Sequence, residues 1–337
     1  MRTAIALVLA VSSIAAWAGP SFVSLNENSG LNAINNNGQA AGWAYVNWSP
    51  SSIMFDGTVH PIAMDGDAFD INDRGDVLYR AVNPDTAIYG VWDSGWGCLV
   101  PGRDSMGFAP TVVAINNSRH IAGAHLGKAY VAPVDSFFAD PWCPNPPPAE
   151  YSLYAFSFTF SVALDLNDMT TVGYCEYNSN STTPGRVIAT YWIGDVPVSI
   201  GRHGHYSSEA TAVSLSGEIA GCFRDSSNVV EDAFLYNDDN GFTELTGMTE
   251  SPVAINDLDV VLGATTFCID GAVYHIQGLM PAGWTLKGAT DINNANQVVG
   301  SAFGPDGLEH GFILQVPEPT SMALLCFGIA AVLRRRR

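Results

Sequence analysis

The chain has 337 residues and a formal net charge of −19, although only 14% of its residues are charged. Apart from Arg2, Glu318 and the arginines of 334–337, residues 19–316 keep 9 basic and 32 acidic residues and a formal charge of −23. This body repels nucleic acid and anionic lipid, which argues against both as partners, and it can attract divalent cations or basic partners. Its many Gly, Asn, Ser, Thr and aromatic residues predict an all-β globular fold rather than disorder.

A secretory signal peptide is predicted at residues 1–18. Arg2 provides a positive start, the run from Ala4 to Ile14 is apolar but too short to span a bilayer, and Ala16-Trp17-Ala18 has the small-x-small pattern that signal peptidase recognises. Cleavage after Ala18 would make Gly19 the new N-terminus. The alternative is a buried first strand or helix of the body.

One short pattern recurs along the body: a small or acidic residue, an aliphatic residue, Asn, a few polar residues, and then aliphatics ending in Gly. The fifth copy, Ala212-Val213-Ser214, is degenerate, with Ser in place of Asn, and in the second copy Tyr79 replaces the glycine. Spacings of about 40 to 50 residues are typical of propellers and solenoids. The seven anchor residues are Asn35, Asn72, Asn116, Asn167, Ser214, Asn256 and Asn293.

Each unit also contains further short apolar segments separated by turn residues, as in Ala233–Tyr236, Asp238–Gly241 and Phe242–Leu245. These segments are rich in β-branched and aromatic residues and show no helical period, so each unit predicts about four short strands. Four strands per unit is the composition of a propeller blade, and seven units suit a closed ring. We therefore predict an all-β, seven-bladed β-propeller over residues 19–315.

The two ends of the body support closure of that ring. Ser21–Leu25 has the pattern of a strand that precedes the Asn motif, and the last unit stops after Phe312-Ile313-Leu314, where such a strand is missing. Pairing of the N- and C-terminal strands would complete one blade from both ends and hide two sheet edges.

The units resemble HAF repeats, a family of extracellular repeats named for a His-Ala-Phe element that is often followed by A-x-I-N-x-x-G-x-x-x-G. Here the element is Asp232-Ala233-Phe234, Lys128-Ala129-Tyr130 or His310-Gly311-Phe312, so the histidine is mostly lost. The resemblance implies an extracellular location and brings no catalytic residues with it.

Six cysteines are present, and Cys326 lies in the apolar tail. An oxidising compartment allows disulfides among the other five, of which at least one must stay unpaired. Because Cys175 and Cys222 follow the glycines of neighbouring units by two residues and one residue, we predict a disulfide between them; buried free thiols are the alternative. No C-x-x-C occurs, which argues against a zinc site.

Candidate chemistry is sparse. The recurring Asn predicts a buried or turn-capping side chain more readily than a ligand. The loops at 72–76 and 167–168 hint at weak calcium binding but lack the EF-hand spacing, and His203-Gly204-His205 offers two imidazoles in what we expect to be an exposed loop. There is no G-x-S-x-G nucleophile motif and no phosphate loop, so we predict no enzyme and no cofactor, while acid pairs for glycoside hydrolysis stay open.

A proline-rich insertion over 137–151 breaks the period. Trp142 within it is either packed on a blade edge or exposed as a platform for a sugar ring.

The last residues form a tripartite tail. Val316-Pro317-Glu318-Pro319 is followed by the short apolar run Met322–Leu333 and then by Arg334, Arg335, Arg336 and Arg337. This order resembles the PEP-CTERM sorting signal, which predicts residues 316–337 as a sorting domain with a short transmembrane helix and an arginine cluster that stays in the cytoplasm. The resemblance implies processing by an exosortase; an ordinary C-terminal anchor is the alternative.

These features predict an exported protein that signal peptidase and an exosortase process, that the inner membrane holds transiently, and that then reaches the cell surface or extracellular matrix. A non-enzymatic structural or binding role is expected. The alternative is a carbohydrate-binding or carbohydrate-active propeller that acts on exopolysaccharide.

Overall fold

The structure is a computed structural model that describes residues 21–83, 86–93, 96–100, 111–125, 127–134, 160–177 and 186–316. Within these ranges the fold is all-β, with one short 3-10 helix at Ile276–Leu279. The strands form seven separate sheets, which confirms the seven-bladed propeller. The predicted signal peptide, the 137–151 insertion and the membrane segment lie outside the described residues.

The strands are antiparallel and follow the chain from the axis outward in each blade. Blade 1 contains β2 (Ser29–Ile34), β3 (Ala40–Val46), β4 (Ser49–Phe55) and β5 (Val59–Met64). Blade 2 contains β6 (Gly66–Ile71), β7 (Val77–Asn83), β8 (Thr86–Asp93) and β9 (Trp96–Val100). Blade 3 contains β10 (Thr111–Ile115), β11 (His120–His125) and β12 (Lys128–Pro133). Blade 4 contains β13 (Phe160–Leu166), β14 (Thr170–Tyr177), β15 (Arg186–Ile193) and β16 (Val196–Gly201). Blade 5 contains β17 (Ser207–Val213), β18 (Ile219–Arg224), β19 (Val230–Asn237) and β20 (Gly241–Leu245). Blade 6 contains β21 (Pro252–Ile255), β22 (Val261–Gly263), β23 (Thr266–Ile269) and β24 (Ala272–His275). Blade 7 contains β25 (Thr285–Ile292), β26 (Gln297–Phe303) and β27 (Glu309–Gln315), and β1 (Phe22–Glu27) is its outermost strand.

The predicted closure is confirmed. Strand β1 pairs antiparallel with β27, so that Phe22 lies opposite Leu314 and Ser24 opposite Phe312. Blade 7 therefore has three strands from the end of the body and one from its beginning. This pairing removes two unpaired sheet edges and joins segments almost 300 residues apart in sequence.

Each innermost strand has a β-bulge three residues before the anchor residue, where the register to the second strand shifts by one residue. The bulge presses a carbonyl onto the motif glycine: a Cβ on Gly123 would lie 1.8 Å from Thr111 O, and one on Gly300 would lie 2.1 Å from Gly288 O. The recurring glycine is thus required by close backbone approach. Blade 2 reverses the arrangement, because the Tyr79 ring fills the space over Gly90 in the next strand.

The hydrophobic core is divided into seven clusters, one between each pair of adjacent blades. Trp192 fills the interface of blades 3 and 4, Phe223 and Phe234 that of blades 4 and 5, and Phe267 and Phe312 that of blades 6 and 7. Full burial of one such side chain contributes about 1.5 to 3 kcal/mol. Because every blade buries both faces against neighbours, no blade has a core of its own.

The predicted disulfide is wrong. Cys175 packs between blades 3 and 4, whereas Cys222 packs between blades 5 and 6, where its Sγ lies 3.5 Å from Ser251 Oγ. The two cysteines follow their glycines by two residues and one residue, and successive strand residues point to opposite faces. Two whole sheets therefore separate the sulfurs, too far for a disulfide. Cys268 is a buried free thiol.

Candidate functional site: the axial channel

The innermost strands surround a channel of about 240 Å³ along the propeller axis. At each bulge the unpaired residue faces this channel, because a bulge turns one side chain out of the ladder. Three of these bulge residues are polar (Asn32, Thr211 and Thr290), and the other four are apolar. The seven bulge residues are Asn32, Phe69, Val113, Leu164, Thr211, Val253 and Thr290.

The anchor asparagines bond each blade to the next. Asn35 donates its side-chain amide to Asn72 O at 2.9 Å, and Asn72 donates in the same way to Asn116 O at 2.9 Å. The same bond links the blades 3 to 4, 4 to 5, 6 to 7 and 7 to 1. Six of the seven interfaces thus carry this bond, and blade 5 lacks it because its anchor is Ser214.

Each anchor side chain also closes its own turn. Asn293 Oδ1 accepts from the amides of Ala295 and Gln297, both at 3.0 Å, and Asn256 Oδ1 accepts from Leu258 N and Val260 N. Ser214 Oγ keeps one bond of this kind, from Glu218 N at 3.1 Å. The structure therefore confirms the turn-capping role predicted for these asparagines and adds an inter-blade role that the sequence did not reveal.

A second set of hydrogen bonds joins neighbouring blades at the channel mouth. It involves the residues that directly follow the anchors. Asp73 Oδ1 accepts from Asn36 N at 2.8 Å, and Asn117 Oδ1 accepts from Asp73 N at 2.7 Å. Asn294 and Asp257 repeat the arrangement, with Asn294 Oδ1 accepting from Asp257 N at 2.8 Å. The Oδ2 atoms of Asp73 and Asp257 also accept from asparagine side chains of neighbouring blades, so both oxygens of each carboxylate take part in bonds between blades.

Three carboxylates line the channel wall two residues before the anchors. Asp70 accepts from its own neighbour Ile71 N at 2.8 Å and from Ile115 N of the next blade at 2.6 Å. Asp165 and Asp291 make the equivalent pairs of bonds, reaching Val213 N and Ile34 N of the next blades. The other four blades have alanine here: Ala33, Ala114, Ala212 and Ala254.

Burial raises the pKa of all three acids. It raises the pKa of Asp70 to about 6, although the amides of Ile115 and Ile71 oppose the shift. It raises the pKa of Asp165 to about 7, and it raises that of Asp291 well above its ordinary value, in both cases with added repulsion across the channel from the other acids. All three residues are half-buried, and each keeps part of its surface open to the channel.

The suggested calcium loops are committed to other contacts. Asp76 accepts from the Asn72 amide at 2.9 Å and pairs with Arg119 at 2.7 Å, and Asp168 accepts from Ser118 N at 2.9 Å. In the part of the chain that the structure describes, no group of three or more His, Cys, Asp or Glu side chains is placed to hold a metal ion. Weak calcium binding stays a prediction.

The His203-Gly204-His205 pair lies in the turn after β16 and packs against the blade. The His203 ring centroid is 3.8 Å from that of Phe242, the His205 ring stacks on Phe223 at 4.5 Å, and His205 Nδ1 pairs with Glu231 at 2.6 Å. The two imidazoles thus contact aromatic rings and a carboxylate of blade 5.

Of the tail, the structure describes only Val316, whose amide donates to Asn296 O at 2.8 Å and whose side chain is buried between blades 6 and 7. Residues 315–337 match the PEP-CTERM protein-sorting motif. The tail carries a PEP-CTERM sorting signal. This signal implies processing by an exosortase and export to the cell envelope or surface. The predicted signal-peptide cleavage site Ala18–Gly19, the rest of the sorting motif and the arginine cluster 334–337 lie outside the described residues, as does Trp142.

No curated protein matches the chain. Thirty chains of solved structures match it. Among them is TolB from Acinetobacter baumannii, with 10% identity, a TM-score of 0.44, and coverage of 82% of this chain and 63% of that one. No helix among the described residues is long and apolar enough to cross a membrane.

Proposed function

We propose that this chain is an exported cell-surface or extracellular-matrix protein whose propeller has a non-enzymatic structural or binding role, and that an exosortase-type enzyme removes its tail near Val316–Pro319. The observation that carries the proposal is the sorting motif at residues 315–337, which begins where the last strand of the propeller ends.

The junction between propeller and tail suits such processing. Gln315 N donates to Ser21 O at 2.9 Å, and Val316, the last residue that the structure describes, is buried. Pro317 and Pro319 have no amide hydrogen, so neither can donate a backbone hydrogen bond to a neighbouring strand. Cutting beyond Val316 would therefore release the tail without breaking the closure between β1 and β27.

The rest of the route follows from the sequence. Signal peptidase would cleave after Ala18 during secretion. The apolar run Met322–Leu333 would then hold the protein in the inner membrane, with the arginines of 334–337 on the cytoplasmic side, until the exosortase acts. The HAF-like repeats are consistent with this extracellular destination.

The experiment is expression of the full chain in a host with and without its exosortase, followed by intact mass measurement of the extracellular protein. We expect a mass that lacks the residues after the Pro-Glu-Pro segment only when the enzyme is present. A Pro317→Ala/Pro319→Ala double variant should keep the tail, and Pro305→Ala, an exposed proline of the body, should be processed normally. An unchanged extracellular mass in the two hosts would refute the sorting proposal.

A second candidate function, carbohydrate binding or turnover, is favoured by one further feature of the surface, an aromatic cleft at the seam of the ring. Binding without change in chain length supports a lectin-like role, and shortening of a polysaccharide by the purified protein supports an enzyme.

A further inference from the structure

A cleft of about 910 Å³ lies at the seam where the ring closes, between blade 7 and blade 1. Three large aromatic side chains line it: Tyr45 and Trp48 from blade 1, and Trp284 from the segment before β25. Its polar lining comes mainly from Asn26, Glu27, Asn28, Asn47, Asp306 and His310.

Trp48 has an exposure and a backbone conformation that are unusual for a tryptophan. Its side chain is 98% exposed, and its backbone has φ +69°, next to Asn47 with φ +51°. These two residues form the turn between β3 and β4, where Val46 pairs with Ser49. A two-residue turn with both φ values positive favours Asn-Gly, and a bulky side chain at the second position is strained. A tryptophan with a strained backbone and an almost fully exposed side chain points to a role in contacting a ligand.

Ring contacts and hydrogen bonds hold the opposite wall of the cleft in place. The Trp284 ring lies 4.8 Å from the Phe22 ring and 5.2 Å from the His310 ring. His310 is buried, with Nδ1 3.0 Å from Leu25 O and Nε2 3.0 Å from Asp306 Oδ2. The amide of Leu308 and the imidazole of His310 lower the pKa of Asp306 and hold its carboxylate as a fixed hydrogen-bond acceptor.

The cleft opens away from the tail. Strand β27 begins at Glu309, whose carbonyl accepts from Asn28 N at 2.7 Å beside the cleft, and it ends at Gln315 next to the tail. Six residue steps of strand place the two ends roughly 20 Å apart, on opposite faces of the propeller. A ligand in the cleft would therefore not meet whatever holds the tail.

We propose that this seam cleft (Tyr45, Trp48, Trp284, Glu27 and Asp306) binds a chain of neutral sugars. Flat aromatic rings stack on the apolar face of a pyranose ring, and carboxylate and amide groups hydrogen-bond its hydroxyls. No Lys or Arg is among the described residues that line the cleft, and the body has a formal charge of −23, so polysaccharides with carboxylate or sulfate groups are disfavoured. The proposal deepens the binding role proposed above and does not depend on how the tail is processed.

The test is titration of the full-length protein in detergent with cellohexaose, with N-acetylated chitohexaose and with an alginate hexamer, followed by calorimetry and tryptophan fluorescence. We expect saturable binding of at least one neutral hexamer with a blue shift in fluorescence, and no binding of alginate. The Trp48→Ala variant should lose roughly tenfold in affinity, the equivalent of about 1.4 kcal/mol. Met169→Ala changes an apolar residue that is 85% exposed in a turn of the opposite face, and this variant should bind like the parent chain.

Trp48→Gly separates function from folding. Glycine suits the positive φ, so this variant should melt at a higher temperature than the parent chain and still lose sugar binding. The proposal is overturned if neither neutral hexamer binds, if alginate binds as tightly, or if Trp48→Gly binds normally. It is also overturned if the parent chain self-associates in sedimentation and Trp48→Gly abolishes that association, because a second copy would then occupy the cleft. Tail processing can succeed or fail independently of all these results.

Discussion

The side-chain amide of Asn293 donates to the backbone carbonyl of Asn35 at 3.0 Å, so the last repeat is bonded to the first across 258 positions of sequence. The same bond recurs at five other blade interfaces. This bond lies near the axis, whereas β1 pairs with β27 in the outer part of blade 7. The bond therefore supplements the strand pairing. The ring is therefore closed twice, once at its rim and once at its centre.

Replacing Asn293 by Ala should be strongly destabilising. The change leaves the carbonyl of Asn35 without its inter-blade donor and the amides of the Asn293 turn without their acceptor, at a cost of about 3 kcal/mol in the free energy of unfolding. Denaturant melts measure it. Ser214→Ala is the control at the equivalent position, because Ser214 makes no inter-blade side-chain bond in the described structure, and it should cost about 1 kcal/mol. Equal losses for the two variants would contradict the inter-blade role.

Replacing Ser214 by Asn should complete the ring of bonds. The carbonyl of Asn256 accepts from Asp259 N at 3.2 Å, as the carbonyl of Asn72 accepts from Gly75 N while it also binds Asn35. An asparagine at position 214 would supply the missing donor and should raise the free energy of unfolding by about 1 kcal/mol. Ser216→Asn, two residues further along the same turn, is the matched control and should bring no gain. A loss of stability in Ser214→Asn would show that blade 5 cannot accommodate the longer side chain.

The three channel acids should make stability fall as pH rises. Because the folded pKa of Asp165 is about 7 and its ordinary value is 3.8, the folded state holds a proton that the unfolded state has already released between these values. Its contribution is present in full below about pH 4 and is lost as the pH rises through about 7. Each pKa unit corresponds to about 1.4 kcal/mol, and partial contact with channel water reduces the total to on the order of 2 to 3 kcal/mol.

Asp165→Asn tests this. Its asparagine can accept one of the two amide bonds that Asp165 accepts, so the variant should be less stable than the parent at pH 4. The gap should narrow toward pH 8, since the variant has no buried proton to lose. Urea melts at both pH values measure the difference, with Asp195→Asn, an exposed turn residue, as control. A gap that stays constant between pH 4 and pH 8 would mean that Asp165 is ionised throughout.

Arg119 should matter far more than Arg74, although both pair with Asp76. Arg119 is 15% exposed and lies 2.7 Å from Asp76 Oδ1, whereas Arg74 is 57% exposed and lies 3.5 Å from Oδ2. Asp76 is 2% exposed, so Arg119→Met leaves a buried carboxylate without its main partner and should cost about 3 kcal/mol. Arg74→Met should cost at most about 0.5 kcal/mol, as exposed pairs do. Thermal melts of the two variants side by side provide the measurement.

Several features were accessible from the sequence because they repeat or because they are local. The Asn motif and its glycine recur at the spacing of a blade, and a bulged strand pressed on a neighbour accepts only glycine at that point, as at Gly123. The degenerate copy at Ser214 was visible as an outlier, and it is the position where the inter-blade bond is missing. The sorting motif was recognised from the order of its parts alone.

Other features depend on which strand face each residue occupies. The disulfide prediction failed because Cys175 and Cys222 differ by one residue in their distance from the glycine, which sends their side chains to opposite faces. The sequence shows that three copies of the motif have Asp two residues before the anchor and four have Ala. The raised pKa of these acids depends on burial, which the sequence does not show. An Asn-Trp pair in place of Asn-Gly at residues 47–48 was the one sequence signal for the seam cleft, and it was missed.

The sequence by itself determined the number of blades, their strand content and the closure of the ring, because period, strand pattern and turn chemistry are properties of short segments. Only the tertiary structure decided which interactions the seven blades make with one another. Bonds from Asn to the next blade, the desolvation of three carboxylates and an aromatic cleft between the first and last blades arise between residues that are distant in sequence and adjacent only once the ring has closed.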